Sequence, residues 1–140
     1  MTSVTATPSK DVAAPQFAAA GRFLDVLAAR DFSHLASAVR EDVVLRALLP
    51  PGPAQYEGVA AVQSAFDRWF GGVAEFDVLD AAVGEVCDRL QLHWRVRVRV
   101  RADDGRYVIE QRAYADPGAD GRIARLDLLC SGYRPEISGE

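Results

Sequence analysis

Residues 90–100 alternate so strictly that they leave this chain little choice of local structure. Leu90, Leu92, Trp94, Val96, Val98 and Val100 fall on one face of an extended strand, and Gln91, His93, Arg95, Arg97 and Arg99 fall on the other. A strand that is apolar on one side and charged on the other belongs to a sheet covered on one face only. The chain then continues through Asp103-Asp104-Gly105, residues 107–115, Asp120-Gly121 and residues 122–130. That order reads as turn, strand, turn, strand. The last third is therefore three long antiparallel strands joined by two turns.

The preceding residues read as two helices, a strand and a third helix. Residues 16–30 carry Phe17, Ala20, Leu24 and Leu27 at helical spacing, widened by Phe23 and Val26. Asp31 or Ser33 can cap a short second helix to Val39, burying Leu35, Ala36 and Val39. Residues 42–49 read as a strand, stopped by Pro50-Pro51-Gly52-Pro53, which predicts a rigid loop; residues 55–57 can return as a short strand. Residues 58–70 predict the third helix through Val59, Val62, Phe66, Trp69 and Phe70, ended by Gly71-Gly72. Residues 76–87 read as a strand bent near Gly84. The expected fold is α+β: three N-terminal helices over one curved antiparallel sheet, a cone with an apolar closed end and an open mouth.

Composition sets the bounds. The 140 residues suit one domain, assigned to residues 16–134 with a C-terminal tail at 135–140. A net charge of −4 with no basic block argues against nucleic acid. No apolar run approaches the roughly 20 residues of a membrane span. Residues 1–15 are small, polar and Pro-punctuated, without the basic and apolar regions of a signal peptide, which predicts a disordered tail and a cytoplasmic protein. Cys87 and Cys130 form neither a disulfide framework nor a metal site, and no metal-ligand spacing, phosphate loop or Ser-His-Asp set is present. No cofactor or metal is expected.

The order of elements carries a resemblance. With it stand Arg30-Asp31 between the first helices, Glu41-Asp42-Val43-Val44 opening the first strand, Tyr56-Glu57-Gly58-Val59 opening the third helix and Asp120-Gly121-Arg122-Ile123 before the last strand. Over residues 16–134 the chain resembles the nuclear-transport-factor-2-like superfamily, a cystatin-like half barrel, and within it the SnoaL-like polyketide cyclases. The resemblance implies the cone fold but no single reaction, since this fold hosts isomerases, hydrolases, cyclases, dehydratases and proteins without catalysis. Steroid isomerases of the fold use a tyrosine, an aspartate base and an aspartic acid where this chain has Phe23, Ala47 and Glu110. Its epoxide hydrolases use Tyr, Asn and Asp where this chain has Leu45, Ala47 and Leu128. Neither set of catalytic groups is kept, apart from the carboxyl of Glu110.

Glu110 is the sharpest candidate. In an apolar cone its carboxyl could act as general acid or base. The alternative is structural: a two-residue Asp104-Gly105 turn would set Arg99 opposite Glu110, Arg97 opposite Arg112 and Arg95 opposite Tyr114, a cross-strand ion-pair ladder. Hydrophobic alternation puts that ladder outside, whereas the isomerase alignment puts Glu110 inside. Asp127, alone among the leucines of its strand, is either a base or an ion-pair partner of Arg95 or Arg112. The leading expectation is a cofactor-free enzyme that moves protons on a hydrophobic, oxygen-bearing, polyketide-like substrate to drive cyclisation, isomerisation or dehydration. Glu110 and Asp127 would be acid and base, and Tyr114, Arg112 and His93 would orient or polarise a carbonyl. Phe23, Leu45, Ala47, Tyr56, Phe66, Trp69, Trp94 and Leu128 would wall the substrate. The alternatives are a non-catalytic ligand-binding module and a structural dimer whose cone is filled by aromatics. A homodimer through the outer face of the sheet is expected, which would account for strands apolar on one side and Arg-rich on the other.

Overall fold

The computed structural model describes residues 10–136. Helix α1 (Lys10–Ala29) starts six residues before the expected boundary and leads through a 3-10 turn (Phe32–Ser37) into β1 (Val39–Leu49). Strand β2 (Gly52–Glu57) returns to α2 (Val59–Phe66), which tightens into a π turn (Asp67–Gly71). Strands β3 (Glu75–Val86), β4 (Arg89–Arg99), β5 (Arg106–Pro117), β6 (Ile123–Cys130) and the two-residue β7 (Arg134–Pro135) complete the chain. The sheet runs β2-β1-β6-β5-β4-β3, with β7 extending beside β5. One pair, β1 with β6, is parallel, so the sheet is mixed rather than purely antiparallel.

The helices cover one face of this curved sheet. Ala19, Ala20, Phe23, Val26 and Leu27 of α1 are buried, whereas Phe17 is exposed. In the 3-10 turn the buried residues come every third position, Phe32, Leu35 and then Ala38, while Ala36 faces solvent. The difference from the expected α-helical stripe is one of helical period. Arg30 stands at positive φ and donates to the carbonyls of Phe70 (3.2 Å) and Val73 (3.0 Å), tying the end of α1 to the π turn.

Three local expectations change. Leu49 pairs with Gly52, so the tetrad at 50–53 is not a long loop: Pro50-Pro51 alone make the turn, and Pro53 sits in edge strand β2, where a missing N–H is tolerated. The register irregularity of β3 lies between Val78 and Asp80 rather than near Gly84, which pairs regularly with Gln91. The β4–β5 connection is longer than two residues. Val100 donates to the Gly105 carbonyl (2.9 Å), Asp104 takes positive φ, and Asp103 caps the Gly105 amide at 2.8 Å. Glu110 therefore faces Arg95 instead of Arg99, Arg112 faces His93 instead of Arg97, and Tyr114 faces Gln91 instead of Arg95. The shift is an even number of residues, so every side chain keeps its face.

At the C-terminus, Arg134 and Pro135 pair with Val108 and Tyr107, and the Glu136 amide donates to Arg106 (2.9 Å). The start of the expected C-terminal tail is thus held to the sheet; residues 1–9 and 137–140 of the two expected tails lie outside the described residues. Gly132, at φ +76°, packs where a Cβ would lie 2.6 Å from Pro50 Cγ. Gly132→Ala should cost about 1–3 kcal/mol in a urea titration, because both the backbone and the Pro50 contact oppose it.

Candidate functional site

The sheet sorts the candidate residues onto two faces. Along β5, Ile109, Gln111, Ala113 and Ala115 are buried beneath the helices, and Glu110, Arg112 and Tyr114 point the other way. The pairing carries the same phase across the sheet. Arg46, Asp127, Tyr114 and Gln91 lie in one outer row, and Leu48, Leu129, Arg112 and His93 lie in the next. All five residues expected to do chemistry (Glu110, Asp127, His93, Tyr114 and Arg112) thus share the outer face. Of the expected wall, Phe23, Leu45, Ala47, Phe66, Trp94 and Leu128 are buried on the inward side, and Tyr56 and Trp69 are half-buried against that core. The thickness of the sheet separates most of one set from the other, with Ala47 and Leu128 of the wall also bordering the outer groove beside Tyr114 and Asp127. The hydrophobic alternation was the sound guide; the isomerase alignment placed Glu110 inside, whereas the strand turns it outward.

On the outer face the carboxylates are held by cations. Asp127 accepts from Arg46 Nε at 2.7 Å and Arg89 Nη2 at 2.9 Å, with Arg125 at 3.9 Å. The Arg46 hydrogen bond, seconded by Arg89, holds its carboxyl below the ordinary range against the opposing effect of partial burial. A carboxylate so held is a weakened base. Arg89 also grips Asp116 at 2.7 and 3.0 Å. His93 Nε2 lies 2.8 Å from Glu110 Oε2, and Arg112 lies 3.7 Å from the same oxygen. Two adjoining grooves run over this face. One of about 590 Å³ is bordered by Arg46, Leu48, Pro53, Gln55, Tyr114 and Asp127, and one of about 450 Å³ by Glu110, Arg112 and Ser131; Leu48 and Leu129 are common to both.

The ladder has a pH consequence. Because folding lowers the pKa of Asp127, its stabilisation is complete above the unfolded value of about 3.9 and is lost as pH falls through the folded value. Urea midpoints taken from pH 7 down to acid should show Asp127→Asn losing less stability below about pH 4 than the wild type does. Equal acid losses would show that the Arg46 and Arg89 contacts contribute nothing.

The inward face is built from aromatic rings. Phe66 meets Phe23 and Phe32 at 5.7 Å and Trp69 at 5.0 Å, and Phe23 meets Trp94 at 5.5 Å. Tyr56 stands edge-on to Trp69 at 6.2 Å. Among the described residues one buried side chain is polar: Gln111, 1% exposed. It lies directly across from Trp94, whose indole N–H donates to Gln111 Oε1 at 2.8 Å. Gln111 Nε2 has no hydrogen-bond partner. Sequence reasoning passed over this residue, although its signal was present: it is the single polar residue in the apolar phase Ile109, Gln111, Ala113, Ala115. Among the described residues no group of three His, Cys, Asp or Glu is placed to hold a metal, and no helix is long and apolar enough to cross a membrane.

Comparison with known proteins agrees with this architecture. A candidate polyketide cyclase from Xanthomonas campestris superimposes with a TM-score of 0.67 at 18% identity, over 82% of this chain and 89% of that one. Bal32a, from a soil-derived mobile gene cassette, gives 0.70 at 14% identity over 86% and 92%. A steroid delta-isomerase from Pseudomonas aeruginosa gives 0.59 at 20% identity over 84% and 80%. At these identities the likeness is one of fold. No curated protein matches the sequence. The model of the SnoaL-like domain matches residues 20–126, and with the mixed, helix-covered sheet this places the chain in the SnoaL-like domain family of the nuclear-transport-factor-2-like superfamily.

Proposed function

We propose that the protein takes up a hydrophobic, oxygen-bearing small molecule on the inward face of its sheet, and that binding rather than resident acid–base chemistry is what this face provides. One observation carries the reading: the aromatic and aliphatic wall shares the helix-covered face with a single buried polar group, Gln111, while Glu110 and Asp127 face away and are engaged by His93, Arg46 and Arg89. The names of two similar structures, a candidate polyketide cyclase and a steroid delta-isomerase, agree with that class of ligand.

The test is uptake of apolar ketones, followed through tryptophan fluorescence, since Trp94 and Trp69 belong to the wall. Wild type, Glu110→Gln and Asp127→Asn should bind alike. A second reading keeps the proton-transfer enzyme that drives cyclisation, isomerisation or dehydration. The outer groove of about 590 Å³ beside Asp127 and Tyr114 favours it. Loss of binding or turnover in both carboxylate variants, each still folded, would move the site to that groove.

The outer face has a second use in this reading: two copies of the chain meet there. Leu48 and Leu129, 52% and 49% exposed, lie side by side on β1 and β6. Two exposed leucines adjoining in this way support a contact there. The charges around them are already paired within one chain and nearly balanced, so a second copy meets a self-compatible surface with few unpartnered ions to desolvate.

A further inference from the structure

The geometry points to Gln111 as the anchor that orients a ligand inside the cone and selects uncharged molecules presenting a hydrogen-bond-accepting oxygen. This inference rests on the interior-binding reading above and adds the group that makes it selective. The orientation of the amide is fixed by its neighbour. An indole N–H can only donate, so the Gln111 oxygen must face Trp94, as it does at 2.8 Å. The amide nitrogen is thereby turned away with both of its N–H groups, and neither meets an acceptor. A donor left unpaired in a buried site destabilises the fold, and a native structure that keeps one calls for an explanation. Ile109 and Ala113, its neighbours in the same phase, are apolar; the Trp94 indole accounts for the amide oxygen of Gln111 and leaves its nitrogen unaccounted for.

The ligand chemistry follows from what accompanies the donor. Gln111 is neutral, and no buried charged side chain stands with it among the described residues. A carboxylate or ammonium brought into these surroundings would be uncompensated. A ketone, ester or quinone oxygen needs only one donated hydrogen bond, and its carbon frame suits the rings of Trp94, Phe23 and Phe66.

The experiment uses paired probes of one shape: acetophenone with α-methylstyrene, and 2-acetylnaphthalene with 2-isopropenylnaphthalene. Each pair exchanges a carbonyl oxygen for a methylene group. Binding is followed by tryptophan fluorescence and by the side-chain amide resonances of ¹⁵N-labelled protein. The wild type should prefer each ketone about tenfold, with the Gln111 resonances shifting for ketones alone. Gln111→Met combined with Trp94→Phe, which leaves no orphaned indole N–H, should still bind the hydrocarbons, read through Trp69, and lose the preference. Equal binding of ketone and hydrocarbon by the wild type, with unmoved Gln111 resonances, would overturn the anchor and leave the interior-binding reading standing. Failure of all four probes to bind would overturn both. Should the double variant not fold, the wild-type comparison and the amide resonances still decide.

Discussion

Phe66→Ala is expected to lower stability by about 3–5 kcal/mol, measured as a fall in the urea midpoint with little change in slope. Phe66 is fully buried and meets four rings: Phe23 and Phe32 at 5.7 Å, Trp69 at 5.0 Å and Phe70 at 6.5 Å. Those partners belong to α1, the 3-10 turn and the π turn, so one side chain links every helical segment that covers the sheet. Truncation removes apolar area from the core and leaves a cavity that four ring systems cannot all move to fill. Domains of this size are stable by only about 5–15 kcal/mol, so the variant should lie close to unfolding. A cost below about 1 kcal/mol would mean that the helical cover repacks freely and that the cone has no rigid closed end.

The double substitution Leu48→Glu with Leu129→Glu is expected to turn the proposed dimer into a monomer, with a dissociation constant raised at least about a hundredfold. In a two-fold assembly the same patch meets itself. Four new carboxylates would then come together where four leucine side chains had met. Both positions are exposed in the single chain, so its own stability should change little, and thermal unfolding separates the two effects. Sedimentation velocity reads the result. A wild type that sediments as a monomer at every concentration would remove the proposed contact, and the grooves over Leu48 and Leu129 would then stay open to other molecules.

The sheet was legible because its alternation is local. Residues 90–100 carry their inward and outward faces in the order of their side chains, and a period of two survives any choice of partner strand. The same rule, applied to β5, places Gln111 inward and Glu110 outward. The weak turn and cap motifs that aligned the chain with steroid isomerases can slide by one position, and a slip of one reverses the face of every residue in a strand. Hairpin register was less legible, because it depends on the side chain of Asp103 bonding the Gly105 amide and on Asp104 accepting positive φ. The parallel pairing of β1 with β6 left no local mark at all. Nothing between Val39 and Leu49 indicates that its second neighbour comes from the far end of the chain.

That pairing governs how the chain can reach its structure. Arg46 and Asp127 meet across 81 residues of sequence, and until β6 exists β1 has only the short edge strand β2 beside it. The late hairpins can form early, since their partners are adjacent. The N-terminal half must wait, with the apolar side of β1 unprotected. During synthesis the sheet cannot close until Cys130 has left the ribosome, so everything from Val39 to Cys130 is made before the core is sealed. Closure of this sheet is therefore a late step in folding with a high loop-closure cost. The interval before closure is when exposed Val43 and Leu45 make it vulnerable to aggregation.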